Sequence, residues 1–234
     1  MGFTVVDKII RIEGQEKFEV DDTIVIESHL EIMLNGNVFG VLQCRPDSRE
    51  ALVYGYLLSK RMICSKSHVT SLIIDEEQSM ALVCLASDAH YTVTTNSDFI
   101  CNVAEVRVVA NQFIPGSDNF RSTGALHSAA LCQGDQILIY MEDVSRHCAL
   151  DKVLGQAILK GIQLNHCYVM TSGRVPTDMF EKVLAGGIPA IFSRSAPTWA
   201  TIQYARETNT ILCGFVRGTR MNIYSGADRI ILTT

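Results

Sequence analysis

The chain contains eight cysteines but not one CxxC pair, which argues against a structural zinc site and leaves no metal-ligand spacing to follow. Half of these cysteines lie inside apolar runs (Cys84, Cys132, Cys167, Cys213), where a free thiol behaves as a small hydrophobe and a disulfide framework is not expected. Cys44, Cys64 and Cys84 are 20 residues apart, but their flanks share nothing, so the spacing is no repeat. No stretch approaches the roughly 20 uninterrupted apolar residues of a membrane helix. The opening MGFTVVDKIIRIEG meets charge too early for a signal peptide. The expectation is a cytoplasmic protein without a membrane partner. Excess positive charge is missing too: the formal net charge of −5 gives no hint of a general nucleic-acid surface.

What is present is a globular composition. The 234 residues are 47% hydrophobic and 19% charged, enough to bury a substantial core in one large or two small domains. Charge is unevenly spread: residues 171–234 carry seven Lys or Arg against four acids, leaving this quarter at +3 and the remainder at −8. Six of the seven cations are arginines, which favour bidentate contact with phosphate or carboxylate, so an anionic ligand is expected on the C-terminal part.

Residues 1–45 read as β structure, with Asn35-Gly36 as a hairpin signal. Ala51, Leu52, Tyr54, Leu57 and Leu58 follow helical spacing to about Met62. Strand character returns at 69–74, 80–85 and 91–95, giving an α+β unit with mostly antiparallel pairing. A break at Phe113-Ile-Pro-Gly-Ser-Asp places the domain boundary at 116/117. The second half then reads as helix-like through His127, strand 136–141, helix 147–161, strand 167–171, helix 177–186, strand 188–193, helix 197–208, strand 210–216 and a short strand near 221–224. Such alternation predicts βαβ crossovers and a largely parallel sheet. The turns Glu142-Asp143, Ser172-Gly173-Arg174, Ser193-Arg194-Ser195 and Arg217-Gly218 are then expected along one rim, where open α/β sheets bind ligands.

Two of those turns precede helices with Pro176 and Pro197 near their starts. Their hydroxyls, free N–H groups and arginines make a natural phosphate cradle, although simple N-capping would account for the hydroxyls. In Phe215-Val216-Arg217-Gly218-Thr219-Arg220 two arginines flank a tight Gly-Thr turn whose N–H groups suit an anion, and Phe215 can stack on a ring. None of these turns is a Walker loop or a GxGxxG fingerprint. The segment EDVSRHCALDK packs Glu142, Asp143, Arg146, His147, Asp151 and Lys152 into one span, as a ligand rim or, equally, as a salt-bridged turn. Around His127 the pattern suggests a nucleobase deaminase, but Ala129 replaces the glutamate and no PCxxC follows, so deamination by that mechanism is excluded. A hydrolase using His127, or His147 with Cys148, lacks any oriented triad signal.

Taken together, TGALHSAAL, EDVSRHCALDKVLG, SGRVPTDMFEK, GIPAIFSRSAPTWAT and GFVRGTRMNIYS resemble the FdhD/NarQ family of formate dehydrogenase accessory sulfurtransferases, over roughly residues 30–231. The resemblance implies a cytidine-deaminase-like C-terminal α/β domain (117–234) that binds the cofactor, beside a smaller β-rich N-terminal α+β domain (1–116). It implies a sulfur carrier taking sulfur from a cysteine desulfurase to the molybdenum cofactor, bis-molybdopterin guanine dinucleotide, as bound cargo for formate dehydrogenase, with a homodimer as the assembly. The cofactor turn maps onto Phe215, Val216, Arg217, Gly218, Thr219 and Arg220. The family's CGxCG loop maps onto 94–102, where Asp98 stands at the first cysteine and Cys101 at the second. An aspartate cannot form a persulfide, so Cys101 becomes the candidate catalytic thiol. A cofactor- or nucleotide-binding chaperone without sulfur transfer is the alternative.

Overall fold

The computed structural model describes residues 3–113 and 118–232; the expected break and domain boundary at 114–117 lie outside them. The chain begins with a two-stranded ribbon, β1 (Thr4–Glu13) and β2 (Glu16–Val25), paired antiparallel along its whole length. Val6, Ile10 and Ile12 on one face of the ribbon are exposed.

A four-stranded sheet follows, in the order β4 (Asn37–Cys44), β3 (Ser28–Leu34), β6 (Met80–Leu85), β5 (Val69–Asp75). Asn35 adopts a left-handed φ of 49° and Gly36 one of 84° in the tight β3–β4 hairpin, the conformation that Asn-Gly favours. Pairing is antiparallel except between β3 and β6. Helix α1 (Arg49–Ser59) buries Leu52, Leu57 and Leu58 at the helical spacing anticipated. The strand expected at 91–95 does not form. That segment is irregular, because Tyr91 sends its hydroxyl to the Ala185 carbonyl (2.8 Å) and Val93 lies against Gly187.

After β7 (Cys101–Asn102), α2 (Val103–Phe113) and α3 (Asp118–Thr123) comes the principal sheet, in the order β13 (Arg220–Ser225), β12 (Ile211–Arg217), β11 (Ala190–Ser193), β10 (Tyr168–Thr171), β8 (His127–Gln133), β9 (Gln136–Asp143). Helices α4 (Arg146–Lys160), α5 (Thr177–Ala185) and α6 (Trp199–Glu207) connect its strands, and β14 (Ile230–Ile231) pairs with β7. Two expectations are corrected here. The run around His127 is a strand, because Ala129, Ala130, Leu131 and Cys132 are buried on both faces and such a strand shows no alternation in sequence. The sheet is mixed: only β10–β11 and β11–β12 are parallel, whereas β8–β9, β8–β10 and β12–β13 are antiparallel.

Period-two geometry divides the strand side chains between two cores. Leu131, Val169, Ile191 and Leu212 face α4–α6 and the N-terminal unit. Cys132, Met170, Phe192 and Cys213 face the opposite side together with Val106, Val109 and Phe113 of α2. Helix α2, just before the expected boundary, therefore covers the C-terminal sheet. Helices α1 and α4 meet at two glycines: a Cβ on Gly55 would lie 1.8 Å from the Asp151 carbonyl oxygen, and one on Gly155 1.8 Å from that of Ala51. Among the described residues no helix is long and apolar enough to cross a membrane.

Candidate functional site: an arginine-lined notch at one end of the sheet

Strands β10, β11 and β12 end on the same edge, and β8, antiparallel to β10, begins there. The turns after the three parallel strands are tied together by backbone bonds. The N–H of Arg194 donates to the Thr171 carbonyl (3.0 Å) and that of Phe215 to the Ser195 carbonyl (3.1 Å). Between them opens a cavity of about 470 Å³, lined by Arg194, Arg217, Ser172, His127 and Ser128, with Phe113, Phe120 and the Gly124–Leu126 segment on its other wall. The convergence expected of these turns is therefore present.

The electrostatics favour an anion. Burial and the neighbouring Arg217 both push the Arg194 guanidinium below its ordinary pKa, and the Arg217 Nε donates to the Arg194 carbonyl at 3.0 Å. Neither arginine has a carboxylate partner among the described residues. Two cations facing one cavity without a counter-charge are stabilised by a bound anion. Burial, and then Arg146, lower the His127 pKa, with Asp143 opposing, so the imidazole on the wall is neutral near pH 7.

Of the six residues expected to bind cofactor, Arg217 alone lines the cavity. Val216 is buried in the core beneath it. Gly218 takes a left-handed φ of 54° in the β12–β13 turn, and the Thr219 carbonyl accepts from Arg107 at 2.9 Å. Arg220 stacks over the Phe215 ring, 5.6 Å from its centroid, so both lie outside the cavity wall. Phe215 itself has φ of 53° at a bulge, a strained setting for a side chain other than glycine. The expected serine cradle is different in detail. Ser172 Oγ accepts the Ser128 N–H (2.9 Å), and Ser193 Oγ donates to the Gly173 carbonyl (2.7 Å). These hydroxyls stitch turns together; they do not cap helices. Arg174 is exposed and takes no part in the wall.

The EDVSRHCALDK segment proves to be an internal clamp. Lys152 and Asp143 are fully buried, 2.7 Å apart. Lys152 also donates to the Arg45 carbonyl (3.2 Å) and reaches Asp47 (3.2 Å), and Asp143 accepts the Arg45 N–H at 3.1 Å. Asp151 binds Lys182 (2.7 Å) and Ser59 (2.6 Å). The salt-bridged turn is thus the reading that fits, and it joins the two halves of the chain. His147 is 3.6 Å from Asp178, but Cys148 beside it is buried and its thiol is raised by that burial, which leaves it no nucleophile.

Cys101 does not reach the notch. It is 3% exposed, and burial, then Glu105, push its thiol up to about 12. It precedes α2, whereas Phe113 at the other end of that 11-residue helix lines the cavity; at 1.5 Å per residue the separation is about 16 Å. The neighbouring loop is held by Arg229, which donates to the Ser97 carbonyl at 3.2 Å. Phe113, Phe120 and the Gly124–Leu126 segment were not anticipated as site residues, and no local motif marks them.

Fold and site together define a mixed α/β protein with an arginine-lined notch at the strand ends. The chain belongs to the FdhD/NarQ family, whose profile matches residues 25–100 and 85–231. It is 30% identical to the Sulfur carrier protein FdhD of Bacillus subtilis strain 168, covering 97% of both chains, and 32% identical to that of Methanothermobacter thermautotrophicus, covering 92% of this chain and 94% of the relative. A crystal structure from Desulfotalea psychrophila, assigned as a formate dehydrogenase accessory protein, superposes with a TM-score of 0.87 at 26% identity, over 98% of this chain and 100% of the other.

Proposed function

We propose that this protein is a formate dehydrogenase accessory protein that takes sulfur from a cysteine desulfurase and passes it to the molybdenum cofactor, bis-molybdopterin guanine dinucleotide, held as cargo in the notch. The observation that carries this reading is the uncompensated pair Arg194 and Arg217 on a cavity of about 470 Å³, in a chain of this family. A pyrophosphate between the two guanidiniums relieves their repulsion and accepts bidentate bonds. Phe120, exposed on the wall, offers ring surface to a pterin or guanine, with Phe113 buried behind the wall, and Gly218 keeps the Phe215–Arg220 turn tight beside it. The cargo, when bound, supplies the metal that takes up the sulfur; the chain's residues bind it, orient it and exclude water. Guanosine diphosphate is the probe. Titration calorimetry is expected to show binding that weakens about tenfold, or ~1.4 kcal/mol, in each of Arg194→Ala and Arg217→Ala, and less in Arg220→Ala. Wild-type affinity in both of the first two variants would sink the site.

A second reading, a chaperone that holds the cofactor without moving sulfur, is favoured by Asp98 at the family's first cysteine and by the burial of Cys101. Incubation with a cysteine desulfurase and ³⁵S-cysteine separates the two. A labelled wild type supports the carrier, and an unlabelled one that still binds nucleotide supports the chaperone.

A further inference from the structure

We propose that β1 is a docking edge for a second copy of the chain, whose own β1 pairs with it antiparallel and centred on Ile9, so that Asp7 of each copy lies opposite Arg11 of the other. The pairing does not depend on what the notch binds.

The ribbon of β1 and β2 is a sheet of its own. Its β2 strand packs against α3, whose Phe120 lines the notch, and β1 is left as the free edge. From Val5 to Glu13 every residue except Ile9 is exposed, with Val6 at 64%, Ile10 at 64% and Ile12 at 62%. Across the ribbon the Ile26 N–H donates to the Phe3 carbonyl (2.9 Å). Because antiparallel pairing alternates, the odd-numbered residues of β1 bond to β2, and Val6, Lys8, Ile10 and Ile12 turn their N–H and C=O groups outward. The Lys8 N–H meets only the carboxylate of its own neighbour, Asp7 (2.9 Å). Natural edges are blunted by a proline, a bulge or a lysine. Here β1 contains no proline and pairs with β2 over ten residues without a bulge, and Lys8 is turned to Glu19 across the ribbon (2.7 Å).

The charges select both the occupant and the register. Within the ribbon Asp7 faces Asp22, and like charges directly opposite one another are destabilising. Arg11 reaches Asp22 at 3.9 Å, and no ion pair reaches Asp7 among the described residues. A strand that brings a cation opposite Asp7 answers this, and β1 is itself such a strand. Outward-facing residues must meet outward-facing residues, so the two-fold axis between two copies of β1 falls on a residue of the strand. Centred on Ile9, it sets Asp7 opposite Arg11 twice and Val6 opposite Ile12 twice, with Ile9 opposite its copy and no like-charge pair. Moved one residue either way, the axis sets Lys8 against its own copy or Asp7 against Glu13. The residues from Val5 to Glu13 then exchange about eight backbone hydrogen bonds, and the apolar face of each ribbon continues into that of the other.

The test is sedimentation velocity on the full-length protein over a range of concentrations. The wild type is expected as a dimer of the 25.8 kDa chain; one that stays monomeric at about 100 µM overturns the proposal. Asp7→Arg relieves the repulsion with Asp22, so the chain should keep its melting temperature, yet the dimer should weaken at least about tenfold. Arg11→Asp should weaken it as well, and the two reversals together should bring it back to within about threefold of the wild type. Register is read by cross-linking in a Cys84→Ser background. Ile9→Cys, about 4.5 Å from its copy, should form an interchain disulfide on mild oxidation, and Asp7→Cys, about 14 Å from its copy, should not. A double reversal that stays monomeric, or a cross-link through Asp7→Cys and not through Ile9→Cys, overturns the register. A dimer indifferent to both single reversals overturns the proposal and assigns the contact to another surface, such as the exposed row of Val38, Leu82 and Ile73 across the four-stranded sheet.

Discussion

At Asp47 a single carboxylate reports the cost of joining the two halves. Burial pushes its pKa up, but the bidentate bonds from Arg45 (2.5 and 2.7 Å) and the proximity of Lys152 outweigh that and hold it at about 2. A group depressed on folding contributes stability above its unfolded value, near 4, and loses it as pH falls through the folded value. With its side chain one-third exposed, the contribution is discounted to ~1–2 kcal/mol. Urea titrations of the wild type should therefore lose stability between about pH 4 and pH 2, and Asp47→Asn should be less stable at pH 7 and flatter across that window. An equally steep loss in the variant would assign the acid sensitivity elsewhere. At this scale the arginines of the notch were legible, since a turn after an apolar strand announces where Arg194 and Arg217 must emerge. The direction of the EDVSRHCALDK charges was not: composition does not say whether a carboxylate meets water or a buried lysine.

Between elements, the closest packing is that of α1 on α4. With Gly55 facing the Asp151 carbonyl and Gly155 facing that of Ala51, each at 1.8 Å from a hypothetical Cβ, no rotamer change can make room for a methyl group, because the clash is with backbone. Gly155→Ala should cost upwards of ~3 kcal/mol, beyond the usual range for an overpacked core, although alanine is the better helix former. Gly161→Ala is an instructive companion: nothing lies within 4 Å of its Cβ position, but its φ of 66° at the α4 C-cap makes the cost one of backbone strain, ~1 kcal/mol. Thermal melts in which Gly155→Ala is no worse than Gly161→Ala would contradict this packing. Both helices were readable from their spacing, yet their contact was not, since a glycine inside a helical pattern reads only as a weak point until its neighbour is known. The strand at His127 was hidden for a related reason. A central strand buried on both faces carries no alternation, and alanines do not choose between helix and strand.

On the scale of the whole chain, the ion pair of Lys152 with Asp143 is the link between the halves, because Arg45 and Asp47 from the N-terminal unit complete its hydrogen bonds. Two fully buried charges gain little over apolar residues of the same shape, but removing one leaves the other unpaired in a low dielectric. Lys152→Met should accordingly cost ~3–5 kcal/mol, and Asp143→Leu combined with Lys152→Met should recover most of that loss. The notch supplies the second readout. His127 pairs with Asp143 across β8–β9 and lines the cavity, so a misplaced Asp143 in the single variant should also weaken guanosine diphosphate binding, while the double variant keeps it near wild type. If the double variant proved no more stable than the single, the halves would be joined by their apolar interface alone. The charged cluster would then owe its place to something other than holding the notch in register.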